Sequence, residues 1–366
     1  MSLRMISKCS SLFGSVGTKE LKRLRESLIP RHEPVLLLAS FSQDASTDST
    51  VCRSHELKLN QEKQTVAHMM ERWRCRFESE GISEPKDSIE LIMAHVLGTT
   101  KIDALKSQHQ RELVEEEIQK LEQLGECRLS RMPVQYIIGE WDFRDLKLKL
   151  EPPIFIPRPE TENFVDHVLQ RIDCSKSPQR GLEIGCGSGA ISLSLLHSVK
   201  NVIMIAIDTN PHACELTLRN ARELALGENL ILLNATLNKD AALEIKSECH
   251  NPKSHKNFAE NLDFIVSNPP YIPTENIFKL QLEISLYEDI RALDGGEDGL
   301  KLIKPILKFA SRRLKPGGFL LLEVDSSHPE KIKDLVRDLY ANELSFDFTH
   351  KDFRDVDRFV EISKTV

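Results

Sequence analysis

The chain has 366 residues, enough for about two domains, and its 40% apolar and 29% charged residues are typical of a globular protein. A formal net charge of −7 argues against a protein that grips nucleic acid over a broad surface, because neutralising phosphates requires clustered lysine and arginine. No apolar run approaches the roughly 20 residues that a membrane-spanning helix needs.

The eight cysteines and twelve histidines show no pattern of metal or disulfide chemistry. The cysteines are scattered without a C-x-x-C pair, and the histidines form no H-E-x-x-H or H-x₃-H cluster. We therefore predict no metal site, no disulfide framework and a reducing compartment, and we interpret the histidines as surface or packing residues.

The first 19 residues contain three basic residues and five serines, and the first acidic residue is Glu20. This composition is typical of a mitochondrial transit peptide, and the apolar core of a secretory signal is missing. A disordered tail is the alternative interpretation. Residues 40–54 are rich in serine and threonine without periodicity, so we assign residues 1–55 to a transit peptide and disordered linker.

Residues 56–130 are predicted to form a small helical domain. Apolar residues recur at helical spacing in three stretches, which we interpret as packing surfaces rather than cofactor contacts. Gly98 and Gly125 are candidates for the residues that end the second and third helices. The apolar stripes consist of Val66, Met69, Met70, Trp73 and Phe77, of Ile89, Ile92, Met93, Val96 and Leu97, and of Leu113, Val114, Ile118, Leu121 and Leu124.

Residues 131–160 are predicted to be a β-hairpin and linker between two domains. Apolar residues and lysines alternate at residues 146–150, as in a half-buried strand, and residues 136–138 are the expected partner strand. The prolines among residues 152–159 then impose a stiff, extended path. This path, with Phe155, is a candidate wall of a binding site, although a plain linker is the alternative.

Residues 161–366 alternate between strands and helices. Such alternation builds a mostly parallel sheet covered by helices on both faces, an α/β fold in which ligands bind at the carboxyl ends of the strands. The polar stretch 246–261 is predicted to be a surface loop. The predicted strands are residues 182–184, 202–207, 230–233, 262–266 and 319–324.

Two strand ends carry residues that suit a ribose-bearing cofactor. Gly185, Gly187 and Gly189 follow the first of these strands, and glycine lets the backbone pass close to a ligand. Asp208 ends the next strand, 23 residues after Gly185, where a carboxylate can accept from the hydroxyls of a ribose. The glycine loop alone is weak evidence, and Asp208 alone is equally a helix cap, but together they favour such a cofactor.

A third strand end carries Asn268, Pro269, Pro270 and Tyr271. Each proline removes a backbone donor, so the strand stops and a rigid loop follows. The loop offers an amide side chain, an aromatic face and backbone carbonyls, which suit a planar group that carries an NH₂. A lone Asn-Pro is more often a plain turn, but beside a cofactor site this loop favours a transferase that acts on such a group.

These residues resemble the class I S-adenosylmethionine-dependent methyltransferases, and Asn-Pro-Pro-Tyr is similar to the loop of members that methylate amino nitrogens on planar groups. Residues 133–143, leading into 156–162, and residues 287–299 are similar to the HemK/PrmC family. The resemblance covers about residues 60–362. It implies an α/β, Rossmann-like fold with a mostly parallel seven-stranded sheet, preceded by a small helical domain and a β-hairpin linker.

The resemblance also implies an activity, a cofactor and a partner. The HemK/PrmC family methylates the glutamine of the Gly-Gly-Gln motif of class 1 peptide-chain release factors, with S-adenosyl-L-methionine as the methyl donor. With the N-terminal composition, it implies a mitochondrial matrix enzyme that acts on mitochondrial release factors. We expect residues 56–130 to recognise the substrate and residues 161–366 to catalyse, in a monomer that binds neither membrane nor nucleic acid directly.

The same resemblance implies which residues form the site. No metal is expected among them. The implied catalytic residues are Asn268, Pro269, Pro270 and Tyr271, and the implied cofactor-binding residues are Glu183, Gly185, Cys186, Gly187, Ser188, Gly189, Asp208 and Asn268.

One departure from the family leaves the adenine contacts unassigned. After the third strand the bacterial members carry an acidic residue and then an aromatic residue beside the adenine, where this chain has Thr236 and Leu237. Two alternatives also stay open. A nucleic-acid amino methyltransferase is disfavoured by the acidic charge balance, and a catalytically silent binding module is disfavoured by the intact glycine loop, Asp208 and Asn-Pro-Pro-Tyr.

Overall fold

The computed structural model describes residues 64–99, 102–173, 178–253 and 259–365. The predicted transit peptide and linker lie outside these residues. Among the helices of the described ranges, none has both the length and the apolar character needed to cross a bilayer. The α-helices are α1 (Val66–Ser79), α2 (Pro85–Val96), α3 (Ile102–Gln108), α4 (Glu115–Leu129), α5 (Val134–Ile138), α6 (Glu160–Arg171), α7 (Ala190–Ser198), α8 (Pro211–Glu223), α9 (Leu282–Tyr287), α10 (Ile303–Arg313) and α11 (Pro329–Leu339).

Ten strands in the described ranges form a two-stranded hairpin and an eight-stranded sheet. The strands are β1 (Glu140–Phe143), β2 (Leu146–Lys149), β3 (Gln179–Ile184), β4 (Val202–Asp208), β5 (Leu230–Leu237), β6 (Leu243–His250), β7 (Leu262–Ser267), β8 (Leu314–Glu323), β9 (Leu344–Lys351) and β10 (Asp357–Lys364).

The helices α1 to α4 pack around the apolar stripes that the sequence predicts. Trp73 and Phe77 of α1, Ile92 of α2 and Leu121 of α4 are at most 1% exposed and belong to one apolar cluster. Local signals set the helix boundaries, because the Thr65 side chain caps α1 and Pro85 occupies the first turn of α2. Gly98, with a φ of 66°, follows α2 and ends it as predicted.

Gly125 does not end a helix, and the prediction of that boundary is wrong. It lies inside α4, where the indole of Trp73 passes so close that a Cβ on Gly125 would be 2.5 Å from ring atoms. The glycine is therefore a contact point between α1 and α4, since any side chain would push the two helices apart. Sequence periodicity cannot reveal this contact, because Trp73 is remote in the chain.

The hairpin consists of β1 and β2, and residues 136–138 belong to α5 rather than to a strand. A short apolar run has too few residues for its period to distinguish a helix from a strand. Here the amides of Tyr136 and Ile137 both donate to the carbonyl of Pro133, which closes a helical turn. Gly139, with a φ of 78°, then ends α5 and leads the chain into β1.

The large sheet has the order β6-β5-β4-β3-β7-β8-β10-β9 and is mostly parallel. The pairs β3–β4, β4–β5, β3–β7 and β7–β8 are parallel, and the pairs β5–β6, β8–β10 and β10–β9 are antiparallel. Helices cover both faces, with one large apolar cluster on each side of the sheet. The α/β fold of a class I methyltransferase is therefore confirmed.

The sheet has eight strands where seven were expected. The additional strand is β6, which pairs antiparallel with β5 at one edge and overlaps the predicted loop at residues 246–261. Most of its side chains are exposed, so it lacks the apolar alternation from which a strand is read. Backbone pairing with β5, not burial of an apolar face, holds this edge strand in place.

A buried ion pair joins the helical region, which consists of α1 to α4, to the rest of the chain. Arg128 at the end of α4 is 4% exposed, and its guanidinium lies 3.2 Å from the Glu283 carboxylate on α9. The same guanidinium donates to the Ser88 hydroxyl at 3.1 Å and to the Ser83 carbonyl at 3.0 Å. Such a pair is stable only while every donor is satisfied, so α4 and α9 hold a defined relative position.

The substitution Gly125→Ala tests the close contact between α1 and α4. Alanine in an exposed helix position stabilises relative to glycine, but here its methyl group would overlap the Trp73 indole. We expect a loss of about 1–3 kcal/mol in the free energy of unfolding, measured by urea titration followed by circular dichroism. The control Gln123→Ala, at an exposed position of the same helix, is expected to change it by less than about 0.5 kcal/mol. A more stable Gly125→Ala protein would contradict the contact.

Candidate active site

A cavity of about 320 Å³ opens at the carboxyl ends of β3, β4, β5 and β7. The strand order places β3 between β4 and β7, which is the point where an open parallel sheet leaves a crevice. The hydroxyl of Ser267, the last residue of β7, donates to the carbonyl of Ile184, the last residue of β3, at 2.6 Å. The loops that follow these two strands therefore face the same space.

The glycine loop curls over the end of β3. Gly185, Gly187 and Gly189 all have positive φ values, between 55° and 86°, which side chains rarely adopt. Gly185, Gly187 and the intervening Cys186 line the cavity, together with Ser188. Gly189 does not line it; this glycine is the N-cap of α7, and a Cβ there would lie 3.0 Å from Leu193. The loop thus presents backbone, not bulky side chains, to a ligand.

Asp208 lies at the end of β4 and is held by two backbone amides. One carboxylate oxygen accepts from Gly187 at 3.0 Å, and the other accepts from Asn210 at 2.8 Å. The cap of α8 is Asn210, whose side chain accepts from His212, so Asp208 is not the helix cap. Burial raises the pKa of Asp208. The carboxylate therefore faces the cavity in a fixed orientation and still has lone pairs for hydroxyl donors.

Glu183 lines the cavity from within β3 and is almost fully buried. Its carboxyl accepts from the backbone amide of Ser192 at 3.0 Å and from the Ser192 hydroxyl. Burial raises the pKa of Glu183 to about 8, against the effect of these hydrogen bonds. A cationic ligand beside Glu183 and Asp208 would favour the ionised forms of both, so this end of the cavity suits a positively charged group.

Asn268, Pro269, Pro270 and Tyr271 follow β7 and all line the cavity. The amide nitrogen of Asn268 lies 3.4 Å from the Thr161 hydroxyl, to which it donates. With the nitrogen engaged there, the amide oxygen is the atom available to accept a proton from a ligand. The four residues thus form one continuous wall with an acceptor at its start and an aromatic ring at its end.

The Asp-Gly-Gly stretch at residues 294–296 clamps the backbone of this wall. The amide of Ile272 donates to Leu293 at 3.0 Å, and that of Gly295 donates back to Ile272 at 2.8 Å. A Cβ on Gly295 would lie 2.8 Å from backbone atoms of Tyr271. Glycine is therefore required here, because only it allows the two segments to approach so closely.

The proline-rich segment supplies a second wall. Phe155 and Arg158 line the cavity, and the Arg158 guanidinium lies 4.7 Å from the centre of the Phe155 ring. Arg158 donates to both carboxylate oxygens of the buried Glu288, at 2.7 and 2.9 Å. This contact with both oxygens holds the proline-rich segment against Glu288, which follows the Asn-Pro-Pro-Tyr loop in the chain.

The residues where an adenine contact was left unassigned also line the cavity. The hydroxyl of Thr236 lies 2.9 Å from that of Thr209, and Leu237 is 7% exposed. Leu237 therefore offers an apolar surface and Thr236 a polar edge at the carboxyl end of β5.

Two residues that hold the Asn268 side chain were not singled out from the sequence. Thr161, at the start of α6, donates to a carboxylate oxygen of Glu323 at 2.9 Å while it accepts from Asn268. Glu323 is the last residue of β8 and is 1% exposed. An acid at the carboxyl end of an apolar strand is the same signal that drew attention to Asp208, so Glu323 could have been found in that way.

Comparison with known proteins gives a consistent family. The PrmC N-terminal domain family matches residues 68–139. The chain is 40% identical over 311 residues to the human MTRF1L release factor glutamine methyltransferase, covering 82% of this chain and 88% of the relative. It is 33% identical over 270 residues to the release factor glutamine methyltransferase of Moorella thermoacetica, covering 73% and 89%. Among solved structures, a methyltransferase from Pyrococcus furiosus has 18% identity and a TM-score of 0.43, with 65% of this chain and 98% of that chain covered.

The clamp on the Asn-Pro-Pro-Tyr loop is tested with Gly295→Ala. The added methyl group must displace the backbone of Tyr271, which weakens the hydrogen bonds made by Ile272 and Gly295. We expect amide hydrogen exchange in the peptide that contains these loop residues to accelerate by about tenfold or more, because 1.4 kcal/mol of local opening is tenfold in rate. The control Glu297→Ala, exposed in the same stretch, should leave exchange unchanged. Equal protection in both variants would show that the loop does not depend on the clamp.

Proposed function

We propose the function from one premise: the chain belongs to the family of release factor glutamine methyltransferases. The protein transfers a methyl group from S-adenosylmethionine to the side-chain nitrogen of a glutamine, the one in the Gly-Gly-Gln motif of class 1 peptide-chain release factors. The observation that carries this proposal is the position of the Asn268 amide, which shares a single cavity with the glycine loop and Asp208.

The cavity fits the proposed cofactor in charge and in shape. Burial raises the pKa values of the Glu183 and Asp208 carboxyls. S-adenosylmethionine carries a positive charge, which would favour the ionised form of both carboxyls. The glycine loop leaves room for a close approach, and the Asp208 carboxylate suits the hydroxyls of a ribose. When bound, S-adenosylmethionine supplies a methyl group on a sulfonium, which is already a strong electrophile.

The acceptor nitrogen is a poor nucleophile, because its lone pair is delocalised into the carbonyl of the glutamine amide. The Asn268 side-chain oxygen accepts one amide proton, and the carbonyl of Pro269 accepts the other. Tyr271 packs over the amide plane. These contacts would orient the nitrogen towards the methyl group and would strengthen as its protons become more acidic. When the nitrogen–methyl bond forms, the methyl–sulfur bond would break to leave a neutral thioether, and the nitrogen would give up one proton to solvent. The residues therefore act by orientation and by stabilising developing charge.

The partner and the compartment are proposed on separate grounds. The basic, serine-rich composition of residues 1–19 supports import into mitochondria, and hence mitochondrial release factors as substrates. Residues 56–130 are proposed to recognise the substrate. Support for this comes from Arg128 and Glu283, which connect α4 to α9, where Ile284 lines the cavity.

Methyl transfer to a defined glutamine tests the activity. Incubation with S-adenosylmethionine labelled in its methyl group should label a class 1 release factor, and replacement of the Gly-Gly-Gln glutamine by alanine should remove the label. Scintillation counting and mass spectrometry of the modified peptide give the readout. Label that survives the replacement, or that appears on RNA, would overturn the assignment.

Two substitutions separate the acceptor end of the cavity from the cofactor end. Asn268→Ala removes the proton acceptor, and we expect turnover to fall roughly 100-fold or more, while the Kd for S-adenosylmethionine stays within about threefold. Asp208→Ala removes the ribose acceptor and should weaken cofactor binding by about tenfold or more, measured by calorimetry. Each variant is the control for the other. Full turnover in Asn268→Ala or unchanged affinity in Asp208→Ala would contradict the corresponding role.

A further inference from the structure

Glu323 is a buried carboxyl that the proposed mechanism does not use, although both Thr161 and the proposed acceptor Asn268 act on it as hydrogen-bond donors. It is the last residue of β8, is 1% exposed, and accepts from the Thr161 hydroxyl at 2.9 Å. The Thr161 oxygen in turn accepts from the Asn268 amide nitrogen at 3.4 Å. Burying a carboxyl so deeply costs free energy unless it is fully hydrogen-bonded. Its presence at this position therefore points to a specific role.

The direction of these hydrogen bonds determines which way the Asn268 amide points. A carboxylate can only accept, so ionised Glu323 requires the Thr161 hydroxyl to donate towards it. The lone pairs of Thr161 are then available to Asn268, which must present its NH₂ group to Thr161 and its oxygen to the cavity. A threonine hydroxyl has a single proton, so this arrangement is self-consistent without any further group.

Protonation of Glu323 would remove this constraint. A neutral carboxylic acid can donate to the Thr161 oxygen, and the Thr161 proton is then free to point at Asn268. The Asn268 amide would accept that proton by turning its oxygen towards Thr161, which places the NH₂ group in the cavity. An NH₂ group cannot accept a proton from a glutamine amide, so this orientation is unproductive.

We infer that Glu323 is a positioning residue for methyl transfer, which acts through Thr161 to keep the Asn268 amide oxygen directed at the acceptor nitrogen. The inference rests on the proposed function, since it assigns the purpose of the Asn268 orientation. Neither Glu323 nor Thr161 needs to contact the substrate glutamine for this purpose.

The charges that face Glu323 come from several elements. Arg358 on β10 and Arg158 on the proline-rich segment act on it as cations, and the hydroxyl of Tyr271 lies in its field. On the same face of the sheet, Glu361 of β10 is already paired with His350 and Arg171. The environment of Glu323 is thus set by these two arginines and by two neutral donors, the Thr161 hydroxyl and the Asn268 amide.

Burial raises the pKa of Glu323 to about 7, against the hydrogen bonds from Thr161 and Asn268 and against the two arginines. The ionised form is the productive one, so turnover should rise with pH through about 7 and fall as the carboxyl is protonated below it.

Turnover against pH in Glu323→Gln tests the inference. A glutamine fills the same space but does not impose one hydrogen-bond direction. We expect kcat to fall about tenfold at pH 8 and its rise through pH 7 to be lost, because misdirecting a positioned group has an effect of this order. The Kd for S-adenosylmethionine should stay within about threefold. The matched control is Glu361→Gln, a buried acid on the same face away from the cavity, which should keep the wild-type pH profile.

Thr161 gives a second pair of variants. Thr161→Val removes the hydroxyl that links Glu323 to Asn268 and should lose as much kcat as Glu323→Gln, whereas Thr161→Ser keeps the hydroxyl and should recover most of it. A wild-type pH profile in Glu323→Gln, or wild-type kcat in Thr161→Val, would overturn the inference.

A readout without substrate separates this inference from the proposed function. In protein labelled with ¹⁵N-asparagine, the side-chain NH₂ signal of Asn268, assigned by its loss in Asn268→Ala, should shift with pH through about 7 in the wild type and not in Glu323→Gln. If this titration is seen and no release factor is methylated, the proposed function fails but the coupling of Glu323 to Asn268 stands. If methylation is seen and the signal does not titrate, the inference alone fails.

Discussion

The adjacency of β3 and β7 is the constraint on which the candidate site depends. These strands come from parts of the chain separated by β4, β5 and β6, yet they pair in parallel at the centre of the sheet. Because parallel strands end at the same edge, the glycine loop after β3 and the Asn-Pro-Pro-Tyr loop after β7 must face one cavity. The bond from Ser267 to Ile184 ties the two strand ends together. The loop proposed to bind the cofactor and the loop proposed to bind the acceptor group are thereby brought next to each other.

The cavity walls combine two kinds of rigidity. Pro269 and Pro270 stiffen the Asn-Pro-Pro-Tyr loop by restricting its backbone, and Gly295 allows a neighbouring segment to pack closely against that backbone. Buried carboxyls add to this rigidity, because Glu183, which lines the cavity, accepts from Ser192 of α7, and Glu323 accepts from Thr161, which lines it. A low-dielectric surrounding makes each of these hydrogen bonds stronger, and it also makes an unsatisfied carboxyl expensive, so the orientations are strongly specified.

The helical region and the cavity are mechanically connected. The Arg128–Glu283 pair is buried, so removal of Glu283 would leave the Arg128 charge without its carboxylate and would break the contact between α4 and α9. Because Ile284 on α9 lines the cavity, the packing of α4 bears on the shape of the site. A substrate that contacts both α4 and the cavity would therefore bind two surfaces that are already held in a defined relative position.

The sequence by itself indicated the candidate site residues, because the signals involved are local. Positive φ at Gly185 and strand termination at Pro269 are properties of single residues, and the acid at Asp208 ends a strand that is apolar throughout. Tertiary structure decided whatever depends on contacts between remote residues. Gly125 was misread as a helix end because its partner Trp73 lies on another helix.

The same physical reason accounts for the other differences. The edge strand β6 exposes most of its side chains, so only its backbone bonds to β5 reveal it. Thr161 and Glu323 are 162 residues apart, and neither one alone indicates that it holds the other. The sequence indicated candidate site residues, and folding decided which of their side chains contact one another, because the direction of a buried side chain is set by partners that the local chain does not contain.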